Sequence, residues 1–508
     1  MINFRQYPQL TKVVIPNKVK LSTTDINNWF SYLYNLRVVE MNYNLITTMY
    51  LTYYDCRNLT GSPVCGDNVI SMASTYYNCK NLTGFPVCGS NVINMFRTYQ
   101  NCSNLTDNPV CASNVTSMAS TYANCYNLTG SPVCGNNVTN MAYTYYNCKN
   151  ISGKPVCGNN VINMRSTYYQ CRELTGSPVC GNNVTSMYGI YYYCLNLTGS
   201  PVCGDNVTNM SNAYYRCHNI TGNPVCGNNV TNMVSTYYNC TKLTGSPVCG
   251  NKVTSMSNTY YCCIGLTGSP VCGDNVTNMA SAYYSCISLT GNPICGDKVT
   301  NMASAYSLCY GLTGTPVCGN NVTNMASAYF WCNKLTGNPV CGNNVTSMVS
   351  TYRNCINLTG SPVCGNNVTN MAYAYYNCKK ISGKPVCGNN VTNMAYTYYN
   401  CGKNLLYGIT GNSVCGPNVT DMAYTYFNCN KMAAGNSTWY SANVSNVKNC
   451  FYGKNNSRRY NIYVPANSVT LNSCLKNDVN SLVGATITWT NEGTYWYNTV
   501  YNIYIYTY

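Results

Sequence analysis

Of the 36 cysteines in this 508-residue chain, most come in pairs: Cys79 with Cys88, Cys148 with Cys157, and so on through sixteen copies, nine residues apart until an insertion spreads the last pair to Cys401 and Cys415. Zinc chemistry wants four ligands in close Cys-x-x-Cys pairs, and no such pair occurs. Disulfides could staple each pair across a coil. Two ladders of buried thiols, acting as small apolar side chains, would serve as well, and the lack of a secretory leader favours them. Cys262, Cys429, Cys450 and Cys474 fall outside the pairing. Other reactive groups are sparse. The one histidine, His218, sits at a variable position and reads as an exposed surface residue. The 12 Asp and Glu are isolated, so no pair offers an acid and a base. Asp67, Asp205, Asp274 and Asp297 share one position with Asn and Ser, which fits turn capping better than calcium binding. No phosphate loop or nucleophile elbow is present. The chain is expected not to be an enzyme and to need no cofactor or metal.

The side chains that could bind are aromatic and basic, and they sit where the copies differ. Phe96, Arg97 and Gln100 fall in one copy, Tyr126 in the next; Arg165, Tyr188, Arg216 and His218 follow, then Tyr310, then Phe330 with Trp331, then Arg353. Tyr offers contact area at low entropic cost, the mixture that binding loops favour. Adjacent Phe330 and Trp331 are costly on a surface without a partner, and exposed aromatics stack on sugar rings. With 28 Lys and Arg against 12 acids the chain favours anionic partners. The basic residues form no run and no nucleic-acid module signature appears, so nucleic acid is not the expected partner.

These residues must be positioned by a repeat. VTNMAYTYYNCKNISGKPVCGNN (138–160) returns almost unchanged as VTNMAYAYYNCKKISGKPVCGNN (368–390), ten steps of a 23-residue period that runs from Ile46 to Val391. Periods of 20 to 50 residues mean stacked repeats, whose length sets extent rather than domain number. Counting from the first Val of each copy as zero, Met, Tyr and Cys stand at three, seven and ten, which predicts one buried face of a short helical segment. Positions four, eight and eleven would then share the opposite, exposed face. LTGSPVCGNN predicts a tight bend into a short strand. Stacked strands would form a parallel ladder rising ~4.8 Å per turn, and about 18 turns give a length on the order of 85 Å. Met72, Tyr76, Cys79, Leu82, Val87 and their counterparts are the expected core. The expected organisation is N-terminal capping turns over 1–45, a solenoid over 46–450, and a small β-rich cap or attachment domain over 451–508, where YNIYVP, ATITWT and VYNIYIYTY alternate.

NVTNMAYTYYNC followed by NLTG resembles the N-V-T-N-M-x-x-M-F-x-x-C-x-x-L-T unit of BspA-like leucine-rich-repeat surface proteins, and LTKVVIPNKV is similar to the L-x-x-I-x-I-P-x-x-V half of the same family. The resemblance covers about residues 10–450 and rests on five fixed positions repeated some sixteen times. It implies a leucine-rich-repeat-like solenoid and adhesion to cells, matrix or other proteins. The chain departs from the family in carrying Tyr for the usual Phe, in a strand shortened to L-T-G-x-P-V-C, and in lacking a secretion signal or wall anchor. FYGKNNSRRYNIYVPANS resembles the tails of repeat proteins in phages of gut bacteria, which implies a phage-borne member.

MINFRQYPQLTKVVIPNKV has no charged leader with an apolar core, and no apolar run approaches the ~18 residues of a membrane span. The expected location is a virion surface or the extracellular space reached without a signal peptide, with the cytoplasm left open, and no insertion into a membrane. NVT and NLT sequons recur, but turn geometry explains their Asn without glycosylation. Two functions compete: a module that binds a host cell-surface protein or glycan, attached to other virion or assembly proteins through 451–508, and a structural spacer, fibre or decoration protein. For the cysteines the expected outcome is that alkylation of denatured, unreduced protein labels most of the 36 thiols; labelling only after reduction would establish the staples instead.

Overall fold

The computed structural model describes residues 4–401, most of 407–450, and strands beyond them. The chain forms two compact units, 1–245 and 246–508, built of the same turn. In the first, residues 138–160 show how that turn closes. The N–H groups of Met141, Tyr143, Tyr145 and Asn147 donate to the carbonyls of Asn163, Arg165, Thr167 and Tyr169 in the following turn, at 2.6–2.9 Å. The alternate N–H groups of Thr144, Tyr146 and Cys148 turn inward to Met141, Tyr143 and Tyr145, three residues back, at 3.0–3.1 Å. Every backbone donor from Met141 to Cys148 except Ala142 is therefore satisfied through backbone carbonyls, and Ala142 N–H donates to Asn140 Oδ1 at 3.0 Å.

This pattern replaces the predicted helical segment. An α-helix sends each N–H four residues back, whereas here every second N–H leaves for the next turn. Tyr143 and Asn147 also take left-handed φ values of 58° and 61°, which interrupts a right-handed helix. The same two positions are left-handed in turn after turn, as at Ser166 and Gln170 or Ser304 and Leu308. Asn recurs at the second because a short amide side chain tolerates that conformation. Among the described residues the one helical element is a 3-10 turn at Phe4–Gln6.

The predicted strand is reduced in most turns to a single bond between turns, such as Ser152 N–H to the Gly130 carbonyl at 2.8 Å. Paired strands in the first unit are β1 (Lys12–Val14) and β2 (Val38–Glu40), parallel, with Val13 opposite Val39. A separate row of single parallel bridges runs at the residue before Met, as Ser117 to Asn140 to Asn163. The Pro-Val-Cys segment makes no such ladder, because Pro has no N–H to give. It is held by a side chain instead: Tyr145 Oη accepts from Val133 N–H at 2.9 Å and donates to Val133 carbonyl at 2.8 Å. Tyr168 holds Val156 in the same way.

The core otherwise follows the expected positions. Met72, Tyr76, Cys79 and Leu82 are buried, but Val87 is half-buried and Pro86 takes the inward place beside it. The inner tyrosines stack along the first unit at 5.6 Å, as Tyr122 on Tyr145 and Tyr145 on Tyr168. Thr144 Oγ1 and Cys148 Sγ donate to carbonyls of the preceding turn, at Met118 and Tyr122. Gly153 is left-handed at φ 80°, and a Cβ there would run into the Ser131 side chain of the turn before. The described cysteines are thiols; the first of each pair is buried and the second half-buried, save Cys415, which is buried.

The second unit repeats this turn through Asn428. Tyr329 and Tyr352 stack at 5.6 Å, and Tyr352 Oη clamps Val340. At the insertion, β3 (Ser382–Gly383) pairs in parallel with β4 (Gly408–Ile409). A five-stranded sheet follows, from β5 (Gly435–Thr438), β6 (Tyr460–Val464), β7 (Thr490–Asn491), β8 (Tyr495–Asn498) and β9 (Ile503–Thr507), in the order β5-β6-β9-β8-β7. β5-β6 and β6-β9 are parallel, and the other pairs antiparallel. The sheet takes its first strand from ahead of residue 451; much of 451–508, ATITWT in large part included, lies outside the described residues.

Replacing Tyr168 by Phe keeps the ring but strands the Val156 N–H and carbonyl; a loss of about 1–3 kcal/mol is expected in denaturant unfolding, the cost of an unsatisfied buried group. Burial raises the Tyr145 phenol far above its usual value, and it raises the Cys157 thiol from 9.0 to about 12. Both folded pKa values exceed the unfolded ones, so the stability they contribute is complete below pH 9 and is lost as pH rises toward 12. Circular dichroism should show cooperative unfolding in that window and none on mild acidification.

Candidate functional site

The face that carries the variable residues is set by the alternating bonds. Positions seven and ten send the Tyr and Cys side chains to the core, and the residues between them emerge as rows along each unit. In the first unit the row at position eight is a stack of half-buried rings. Tyr146, Tyr169, Tyr192, Tyr215 and Tyr238 lie 4.4–4.6 Å apart, with planes within 13° of parallel. Their faces cover one another, so edges and hydroxyls point outward. The recurring Tyr-Tyr doublet in the sequence is the signal for two ladders, one inside and one outside.

Basic side chains dock on rings at the neighbouring positions. Arg165 lies over Tyr188 at 4.8 Å and Tyr143 at 5.8 Å, and Arg216 lies over Tyr193 at 5.1 Å. Arg97 stacks on Phe96 at 4.8 Å, and Lys149 covers Tyr126 at 5.1 Å. Such contacts contribute about 0.5–1 kcal/mol each when exposed. Gln100 interrupts the ring stack, half-buried, with its Oε1 unpartnered among the described residues. His218 is half-buried rather than exposed; burial, then the Arg216 charge, lowers its pKa below the usual imidazole value. The expected grouping of positions four, eight and eleven gives way to five with eight, as Tyr143 meets Tyr146 at 5.8 Å, because the segment is a series of turns rather than a helix.

In the second unit the outer stack breaks at Ser307, which is small and buried, between Tyr284 and Phe330. The gap uncovers one side of Phe330, and the remaining unit-two candidates gather there. Trp331, 40% exposed, meets Phe330 at 6.4 Å and Tyr310, 39% exposed, at 6.5 Å, both edge to face. Trp331 N–H donates to the Arg353 carbonyl at 2.9 Å. The Arg353 guanidinium lies 5.7 Å from Phe330 and 4.9 Å from each of Tyr373 and Tyr376. Beyond it the stack resumes, Tyr376 on Tyr399 at 4.6 Å and Tyr399 on Phe427 at 4.5 Å.

Among the described residues no group of three or more His, Cys, Asp or Glu is placed to hold a metal ion. No helix among them is long and apolar enough to cross a membrane. No curated protein matches the sequence. Among solved structures, the chain is similar to a leucine-rich repeat protein from Bacteroides ovatus, at 12% identity and a TM-score of 0.36 over 90% of this chain and 87% of that one. It is also similar to a leucine rich cell surface protein from Faecalibacterium prausnitzii, at 16% identity and a TM-score of 0.35 over 73% and 87%. Residues 68–178 and 369–463 match the family described as Mycoplasma protein of unknown function, DUF285.

Proposed function

We propose that the chain is a non-enzymatic adhesin: a surface repeat protein that presents its aromatic and arginine face to a cell-surface protein or glycan. The observation that carries this reading is the unit-two patch, where Trp331 and Tyr310 stay exposed and meet edge to face beside the break that Ser307 makes in the ring stack. Where the stack is continuous the rings cover each other's faces; here large apolar surface is left to solvent, which a partner would bury. Arginine and Trp beside one another are the residue types that dominate binding hot spots. Display on a virion or cell surface, with residues 451–508 as the attachment, belongs to the same proposal, and its support is the resemblance of the repeats and of FYGKNNSRRYNIYVPANS.

A spacer or fibre protein is the second reading, favoured by the uniform bonding of the turns, which suits stiffness as well as display. The two part on one double variant. Phe330→Ser with Trp331→Asn uses residues that other turns already carry at these positions, Ser307 and Asn354, so the fold should hold. An adhesin should lose about 2 kcal/mol or more of attachment to target cells, the scale of a hot spot. Unchanged attachment in cells or on immobilised glycans, with normal thermal unfolding, would leave the spacer.

A further inference from the structure

The geometry points to Arg353 as the anion-recognising residue of an acidic-sugar subsite, in which a pyranose rests against Trp331 and its carboxylate or sulfate meets the guanidinium. The inference rests on the adhesin reading and narrows its ligand from any surface partner to an anionic glycan. Four observations converge on it. The guanidinium is fixed by three rings, Phe330, Tyr373 and Tyr376, at 5.7, 4.9 and 4.9 Å. Its Nε is buried and has no hydrogen-bond partner among the described residues. No carboxylate neutralises it: the ion pairs among the described residues are Lys12 with Glu40 and Arg57 with Asp55. Trp331 lies one rung away, bonded through its N–H to the Arg353 carbonyl, and its ring is not face-stacked on any other.

Each observation restricts the ligand. A guanidinium carries five donors in a planar fork that matches carboxylate and sulfate oxygens, and rings that fix it lower the entropy lost on binding. An uncompensated cation, in a chain with 28 basic and 12 acidic residues, selects anions. One fixed charge beside one open indole suits a polymer with sparse charges on flat rings. Nucleic acid fits less well. It needs a row of phosphate contacts and open ring faces for its bases, and the neighbouring tyrosine faces are covered at 4.5–4.6 Å.

The test measures binding of the full chain to hyaluronan, sulfated dextran, uncharged dextran and single-stranded oligothymidine, for the natural chain and for Arg353→Tyr, Arg353→Lys and Trp331→Asn. Tyr is the commonest residue at this position in other turns and should extend the ring stack, so Arg353→Tyr removes the charge without removing the fold; thermal unfolding checks it. The expected result is binding to hyaluronan or sulfated dextran at least tenfold tighter than to uncharged dextran, weakening with salt. Arg353→Tyr should abolish that preference, Arg353→Lys should restore only part of it, and Trp331→Asn should weaken every glycan. Preference for hyaluronan assigns the carboxylate, and preference for sulfated dextran the sulfate. Equal binding of charged and uncharged glycans, unaltered in Arg353→Tyr but lost in Trp331→Asn, would overturn the acidic subsite and leave the adhesin. No glycan binding sensitive to either residue would overturn the glycan reading itself. Oligothymidine bound more tightly than any glycan and lost in Arg353→Tyr would overturn the sugar in favour of nucleic acid.

Discussion

The structure depends on one hydroxyl per turn. A turn of 23 residues that carries Pro on its far side cannot extend a continuous backbone ladder there, since Pro breaks the row of donors, and most turns keep only a bond such as Ser152 N–H to the Gly130 carbonyl. Tyr145 Oη spans the interior and gives both halves of a hydrogen bond to one Val, replacing the pair of backbone contacts a strand would have made. Phe would supply the same ring and leave two polar groups unsatisfied. This is the physical sense of the Tyr-for-Phe departure from the BspA-like pattern. It also explains why the inner ring is uniform while its neighbour one residue later varies.

From that clamp the rest of the turn follows. With the far side pinned, the near side is free to bond by alternation, one N–H to the next turn and one back into its own. The alternation requires two left-handed residues per turn, and their cost, on the order of 1 kcal/mol each for a non-glycine residue, is offset by backbone bonds that leave few donors wasted. The Thr hydroxyl and Cys thiol complete the interior by donating to carbonyls of the preceding turn. Thiols held as donors among apolar neighbours, with pKa values raised by burial, are unreactive at neutral pH, since the thiolate is the nucleophile. Their part in this fold is to fill space and to satisfy carbonyls.

The exposed rows inherit their spacing from the core. Rings one turn apart stack because the turns stack, so an aromatic at position eight loses its face to its neighbour and becomes structural. The proposed binding surface therefore lies where the stack is broken. Ser307 makes such a break in the second unit, and the exposed Trp331 and the ring-held Arg353 stand beside it. A small residue in the row is as informative as a large one, since it decides which ring face stays open.

The sequence by itself determined the period, the inward ladder of Val, Met, Tyr, Cys and Leu, and the rows that vary, because burial repeats with the register and leaves apolar residues fixed at 23-residue intervals. It also pointed to Tyr310, Phe330, Trp331 and Arg353 as residues of note, since large aromatics and isolated charges stand out against Asn, Ser and Thr. It misjudged what lies between them. Spacings of four and three are shared by a helix and by successive tight turns, and only the partner of each N–H separates the two. The Pro-Val-Cys segment looked like a strand because its composition suits one, while the hydroxyl that holds it, as acceptor and donor, belongs to a tyrosine twelve residues further on. Whether Trp331 keeps an open ring and Arg353 a closed one was decided by tertiary structure alone, because it depends on the residues one turn above and below, which a linear reading places 23 positions away.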